Sequence, residues 1–174
     1  MEDKMGIRNV RVEGDDCLRK VCKEVKSVNL RTKLLIRDMF DTMYEENGVG
    51  LAAPQIGVLK RIVVIDTDGT PYALINPEIL ETSGEQTGYE GCLSIPGKSG
   101  IVTRPNYVKV KALDENGEEF ILEGEELLAR AICHECDHLD GILYRDKAPK
   151  GLVNNEEITD EDYENVDPFE DQEE

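Results

Sequence analysis

The only two histidines of this chain lie four residues apart, in the segment His134-Glu135-Cys136-Asp137-His138. Four residues turn an α-helix by about 400°, so a helix here directs both imidazoles to nearly the same face. They can then share one metal ion, while Glu135 points about 100° away and can reach a water beside the metal. The H-E-x-x-H pattern therefore favours a metal-dependent hydrolase. The alternative is that the two histidines lie on a core helix and only pack against neighbouring residues, without binding a metal.

Such a site needs a third ligand, because a catalytic metal has three protein ligands and one open position. After His138 the only candidate ligands are acidic side chains, most of them in the C-terminal tail. Before it, Cys92 follows a glycine, which lets the backbone approach closely, and its thiolate is a suitable ligand. Taken alone, Cys92 is more typical of a buried structural thiol. Combined with the histidine helix, it is favoured as the third ligand.

Three separated segments resemble the motifs of the peptide deformylase family. In chain order they are Gly48-Val49-Gly50-Leu51-Ala52-Ala53-Pro54-Gln55, Glu90-Gly91-Cys92-Leu93-Ser94 and His134-Glu135-Cys136-Asp137-His138. The similarity extends from Ile7 to Ala148. The family removes the formyl group from the N-terminal methionine of newly made bacterial proteins, and the resemblance implies this hydrolase activity here.

The resemblance also implies a role for each motif residue. One Fe²⁺ ion per chain is expected, with Zn²⁺, Ni²⁺ or Co²⁺ able to replace it. The ligands implied are Cys92, His134 and His138. Glu135 would be the general base and would pass its proton to the leaving amine. The side-chain amide of Gln55 and the backbone N–H of Leu93 would stabilise the oxyanion.

Other positions are expected to line the pocket for the methionine side chain. These are Val49, Leu127, Ala131 and the aliphatic part of Glu90, and Gly50 is expected to bind the substrate as well. Ordinary core packing is the alternative for Leu127. Arg104 and Asp137 are candidates for a buried pair that steadies the ligand helix, although the sequence alone cannot bring them together. Cys133 and Cys136 are predicted to be packed thiols.

Three other functions stay open at this point. A different H-E-x-x-H peptidase would need a third ligand after His138. A structural metal module would need neither Glu135 nor Gln55. A catalytically silent relative that serves as a binding protein would usually have lost a ligand or the base.

The elements around these residues predict an α+β fold, with antiparallel β-sheets packed around a central helix that carries the H-E-x-x-H motif. Asn29 is a candidate N-cap for a helix that runs to about Glu46. The predicted strands cover residues 61–66, 72–76, 79–82, 101–103, 107–113 and 120–122, and a second helix covers residues 125–139. Residues 48–57 are predicted to form a loop.

Length and charge predict one catalytic domain over residues 1–150 and an acidic, disordered tail over residues 151–174. Residues 154–174 hold eleven Asp or Glu and no Lys or Arg, and they offer too little apolar surface to offset the entropy lost on ordering.

The net charge of −18 argues against nucleic-acid binding. No run approaches the roughly 20 apolar residues of a membrane span. An odd count of five cysteines does not indicate a disulfide framework. We expect a cytoplasmic monomer that acts on nascent N-formylmethionyl peptides near the ribosome.

Overall fold

The computed structural model describes residues 6–166. Within these residues the chain forms an α+β fold with two antiparallel sheets, as predicted. The α-helices are Leu30–Glu45 (α1), Glu126–Leu139 (α2) and Asp160–Glu164 (α3). The strands are Gly50–Ala52 (β1), Ile62–Ile65 (β2), Tyr72–Ser83 (β3), Gln86–Cys92 (β4), Ile95–Arg104 (β5), Tyr107–Leu113 (β6), Glu119–Glu125 (β7) and Leu152–Asn154 (β8). None of the helices described here is both long and apolar enough to cross a membrane.

Helix α1 begins where the sequence predicts. The side chain of Asn29 accepts a hydrogen bond from the backbone N–H of Thr32 at 3.1 Å, and the Thr32 hydroxyl accepts one from the N–H of Asn29 at 3.4 Å. This reciprocal capping satisfies two backbone donors that the first turn leaves free. The helix ends before Asn47, whose positive φ of 56° breaks the helical path.

Strand β2 shows how the larger sheet is covered. The sheet has the order β1-β2-β3-β6-β7, and all four residues of β2 are buried. Val63 and Ile65 pack in a hydrophobic cluster with residues of α2. Ile62 and Val64, whose side chains point the opposite way, pack with residues of α1. Helices therefore cover both faces, which explains why β2 is a continuous apolar run.

The smaller sheet has the order β4-β5-β8, and α2 contacts it as well. A guanidinium N–H of Arg130 on α2 donates to the carbonyl of Val102 on β5 at 3.1 Å. Arg104, at the end of β5, donates to the carboxylate of Asp137 on α2 at 2.6 Å. Helix α2 thus contacts both sheets.

Several predicted elements differ from the structure. Residues 48–57 are not a simple loop, since they contain β1 and the 3-10 helix Ala53–Ile56. The two strands predicted within residues 72–82 form one strand, β3, which register shifts interrupt without ending. Strand β4 was not predicted, because its sequence of polar residues and glycines lacks apolar alternation. Its partner strand supplies the hydrogen bonds that hold it extended.

The prediction of a disordered tail from residue 151 is wrong for residues 152–164. Leu152 packs against the hydrophobic cluster that contains Ile95 and Tyr144, and it pairs with Gly100 in the smaller sheet. The segment has too few apolar residues to form a hydrophobic core of its own. It does not need one, because it packs onto a sheet that the rest of the chain has already formed. The remainder of the predicted tail, residues 167–174, lies outside the described residues.

Candidate active site

Strand β4 and helix α2 bring the three predicted metal ligands together. Cys92 is the last residue of β4, and both histidines lie on α2. One donor atom from each of Cys92, His134 and His138 lies within 4.8 Å of the other two. The thiol sulfur of Cys92 is 3.3 Å from Nε2 of His138. One sulfur and two imidazole nitrogens this close form a donor set suited to a single Zn²⁺ or Fe²⁺ ion.

Glu90 holds the first histidine in place. Its carboxylate lies 2.8 Å from Nδ1 of His134, so that this nitrogen is engaged and Nε2 remains for a metal. Arg104 donates two hydrogen bonds to the same carboxylate, at 2.7 and 3.1 Å, and Arg130 donates a third at 3.0 Å. Burial disfavours the charged form, but hydrogen bonds from His134 and Arg104 outweigh it and hold the pKa of Glu90 far below its usual value.

The candidate pair of Arg104 and Asp137 is present. The guanidinium of Arg104 bridges the Glu90 carboxylate on β4 and the Asp137 carboxylate on α2, the latter at 2.6 Å. Lys147 also approaches Asp137, with 3.1 Å between its Nζ and a carboxylate oxygen. These ion pairs connect helix α2, which carries both histidines, to strand β4, which carries Cys92.

Glu135 is a buried carboxylate aimed into the same space. Its Oε1 is 4.0 Å from Nε2 of His134, and its Oε2 lacks a hydrogen-bond partner among the described residues. Burial raises the pKa of Glu135 to about 7, which suits an acid–base group that works near neutral pH. Gly50 makes room for it: a Cβ on Gly50 would lie 2.5 Å from Oε1 of Glu135.

The amide of Gln55 has a fixed orientation. Its oxygen accepts a hydrogen bond from the backbone N–H of Ala52 at 2.9 Å. Its nitrogen donates to the hydroxyl of Ser94 at 3.1 Å and lies 3.5 Å from the sulfur of Cys92. The N–H donors of Gln55 therefore face the metal-ligand cluster. Leu93 lines the same cavity.

Comparison with known proteins identifies the family of this chain. The sequence model of the polypeptide deformylase family matches residues 7–153. The chain belongs to the peptide deformylase family. It is an enzyme, and its family consists of metal-dependent hydrolases.

Individual peptide deformylases agree with this assignment. The chain is 62% identical over 148 residues to the peptide deformylase of Agathobacter rectalis, covering 85% of this chain and 94% of the relative. It is 59% identical over 143 residues to peptide deformylase 1 of Clostridium acetobutylicum, covering 82% and 95%. A crystal structure of a peptide deformylase from Legionella pneumophila matches with a TM-score of 0.79 and 47% identity, covering 81% and 85%. The Synechococcus elongatus peptide deformylase in complex with actinonin matches with a TM-score of 0.80 and 42% identity, covering 85% and 81%.

A cavity of about 530 Å³ opens beside Cys92 and His134. The five residues predicted to bind the substrate all line it: Val49, Gly50, Glu90, Leu127 and Ala131. Val49 and Leu127 are 43% and 49% exposed, which places them at the rim, whereas Ala131 is buried. The exposure of Leu127 does not fit its alternative as an ordinary core residue.

Sequence reasoning missed several cavity residues outside the motifs, among them Tyr89, Arg130 and Asn155. Arg130 offered one signal, since a basic residue stands in an otherwise apolar stretch of the predicted helix. Tyr89 and Asn155 offered none, because their positions depend on strand pairing. Cys133 is buried, and Cys136 packs against the same cluster, as predicted. Burial raises the pKa of both thiols, which disfavours the reactive thiolate.

Proposed function

We propose that this enzyme removes the formyl group from the N-terminal formylmethionine of newly synthesised proteins, with Glu135 as its general base. The observation that carries the proposal is the buried Glu135 carboxylate, one oxygen of which lacks a hydrogen-bond partner among the described residues, beside a sulfur and two imidazoles whose donor atoms lie within 4.8 Å of one another. The metal ligands we assign are Cys92, His134 and His138. Helix α2, which carries the H-E-x-x-H motif, is in this proposal the central element of the site.

Apart from the metal ligands, the residues of the site bind the substrate or transfer a proton. When bound, the metal supplies a Lewis acid that polarises the formyl group and activates water. Glu135 accepts a proton from the attacking water and returns it to the leaving amine nitrogen. The Gln55 side-chain amide and the Leu93 backbone N–H donate to the oxygen that gains negative charge. Val49, Leu127 and Ala131 provide apolar walls for the methionine side chain.

The metal in this proposal is Fe²⁺, one ion per chain. A thiolate with two imidazoles accepts several borderline ions, and affinity alone places Zn²⁺ above Fe²⁺. The identity of the ion therefore depends on metal supply and on turnover, and resemblance to the family favours iron. Zn²⁺, Ni²⁺ and Co²⁺ would occupy the same site.

We further propose that the enzyme acts in the cytoplasm as a monomer, on chains that emerge from the ribosome. All five cysteines are free thiols, which supports a reducing compartment. The net charge of −18 disfavours direct contact with RNA, so the nascent peptide is the partner. The catalytic domain extends in this proposal beyond residue 150 to include β8, because the family match reaches residue 153.

Anaerobic purification with metal analysis, followed by a formate-release assay on a formyl-Met peptide, tests the proposal. We expect Glu135→Ala protein to retain its metal and to lose turnover by at least about 10²-fold. An unformylated peptide of the same sequence is the control, because cleavage of its peptide bonds would indicate a peptidase instead. Near-normal turnover by metal-loaded Glu135→Ala protein would contradict the assignment of the base.

Exposure to air tests the proposed iron and its thiolate ligand. Thiolates oxidise more readily than thiols, so we expect the Fe²⁺ form to lose activity in air with oxidation at Cys92 first. The Zn²⁺ and Ni²⁺ forms should survive the same treatment, with zinc the slower catalyst. Peptide mass spectrometry reports the site, and the buried Cys133 serves as the internal control. An air-stable, equally active iron form would argue against this proposal.

A further inference from the structure

The C-terminal segment, residues 151–164, forms part of the wall of the active-site cavity. Strand β8 pairs with β5 along the stretch that lines the cavity, with Lys98 opposite Asn154. The next residue, Asn155, lines the cavity itself, and its side-chain oxygen accepts a hydrogen bond from the hydroxyl of Ser99 at 2.6 Å. This contact fixes the segment at the cavity edge.

A second contact holds the segment further along. Tyr163 on α3 meets Tyr89, another residue of the cavity wall, with ring centroids 5.2 Å apart and an angle of 64° between the rings. Edge-to-face aromatic pairs of this kind are attractive. Thr159 caps α3 by accepting a hydrogen bond from the backbone N–H of Asp162 at 3.3 Å. The segment therefore borders the cavity at two separate points.

The segment beside this wall is strongly negative. Residues 151–166 contain six acidic and no basic residues. The acidic residues, all exposed, are Glu156, Glu157, Asp160, Glu161, Asp162 and Glu164. Glu156 and Glu157 directly follow Asn155, so their Cα atoms lie within about 8 Å of its Cα. That distance is within the Debye length of about 10 Å at 0.1 M salt. Two basic residues, Lys98 and Arg130, also line the cavity. Arg130 is already paired with Glu90, and the single charge of Lys98 does not cancel the six.

We propose that the C-terminal segment contacts the substrate residues that follow methionine and favours peptides with Lys or Arg at those positions. The inference rests on the proposed function, which places the formyl group beside Cys92 and the methionine side chain near Val49 and Leu127. In this proposal the rest of the peptide leaves along the part of the cavity wall that β4, β5 and Asn155 form. Opposite charges across this wall raise the rate of productive encounter, and like charges lower it.

The test compares kcat/KM of the full-length, metal-loaded enzyme on formyl-Met-Lys-Lys, formyl-Met-Gln-Gln and formyl-Met-Glu-Glu. At low ionic strength we expect the Lys peptide to exceed the Glu peptide by at least about fivefold, and this ratio should shrink as salt is added. In a variant with Glu156→Gln, Glu157→Gln and Glu161→Gln, the ratio should fall below about twofold.

The control variant carries Glu115→Gln, Glu118→Gln and Glu119→Gln at the turn between β6 and β7. It removes the same charge from exposed positions. These positions lie at the start of β7, and the strand extends about 23 Å from there to the first residue of α2. This variant should keep the wild-type ratio. Equal rates on the Lys and Glu peptides, or equal ratios in both variants, would overturn the inference. Absence of formate release from the Gln peptide would instead refute the proposed function, and the inference with it.

Discussion

The Glu90 carboxylate lies 2.8 Å from Nδ1 of His134, a proposed metal ligand, and also accepts hydrogen bonds from Arg104 and Arg130. A histidine that ligates through Nε2 needs its other nitrogen held, and a carboxylate also makes the ligating nitrogen more basic. The buried Arg104 and Arg130 compensate for the negative charge. Glu90 therefore orients the proposed metal ligand His134, in addition to lining the cavity.

Glu90→Gln protein should bind metal about 10- to 100-fold more weakly than wild type, because Gln cannot accept from all three neighbours as a charge does. It should also be less stable, since buried guanidinium groups lose their counter-charge. Competition with a chelator measures the affinity. Glu85→Gln, at an exposed position, is the matched control. Unchanged affinity in Glu90→Gln would show that the carboxylate does not support the ligand.

Gly50→Ala should impair turnover without removing the metal. The new Cβ would lie 2.5 Å from Oε1 and 2.9 Å from Cδ of Glu135, which has little room to move because it is buried. Displacement of a catalytic group by about 1 Å can cost on the order of 10²-fold in rate. Gly88→Ala is the control, since its Cβ would meet only Arg130, at 3.6 Å. Normal kcat with Gly50→Ala would mean that Glu135 relocates freely.

Two substitutions at Gln55 separate its donor from its acceptor. Gln55→Glu keeps an oxygen for the Ala52 N–H and loses the donor, and Gln55→Leu loses both. Both should lower kcat by about 10²-fold or more with little change in KM, because the donor acts on charge that develops during the reaction. Gln55→Leu should also lose about 1–3 kcal/mol of stability through the unpaired Ala52 N–H. If only KM rises, Gln55 is a substrate-binding residue instead.

The metal-free enzyme should become less stable, relative to its Glu135→Gln variant, as the pH rises. Burial raises the pKa of Glu135 from 4.5 to about 7. A carboxyl with a raised folded-state pKa stabilises the fold below its unfolded pKa, and this contribution disappears as the pH rises through 7. The stability difference should therefore change by on the order of 3 kcal/mol between pH 4 and pH 8. Denaturant unfolding of both proteins across this range measures it, and a pH-independent difference would contradict the buried, neutral carboxyl.

Leu152→Ala should destabilise the enzyme by about 1–2 kcal/mol, because Leu152 packs in the cluster with Ile95 and Tyr144. Val153→Ala, next to it on β8 but with a side chain that is 37% exposed, should cost less than about 0.5 kcal/mol. Urea unfolding of the two proteins compares them directly. Equal, small effects would show that β8 contributes little to the fold.

Short-range spacing in the sequence predicted the ligand helix. The interval between His134 and His138 matches one helical turn, so any helix there brings the imidazoles to one face. Asn29 likewise identified the start of α1, since a cap acts on backbone atoms only three residues away. Strand β2 was evident as an apolar run. Such features depend on neighbouring residues and can be read locally.

Only the tertiary structure decided which distant groups complete the site. Glu90 reaches His134 across 44 positions, and Gly50 lies under Glu135 because β1 and α2 pack together. The acidic C-terminal segment has too few apolar residues to fold alone. It is ordered because β8 pairs with β5 and Leu152 packs against a hydrophobic cluster of other residues. Strand pairing and burial depend on surfaces that other parts of the chain create, and no local pattern contains them.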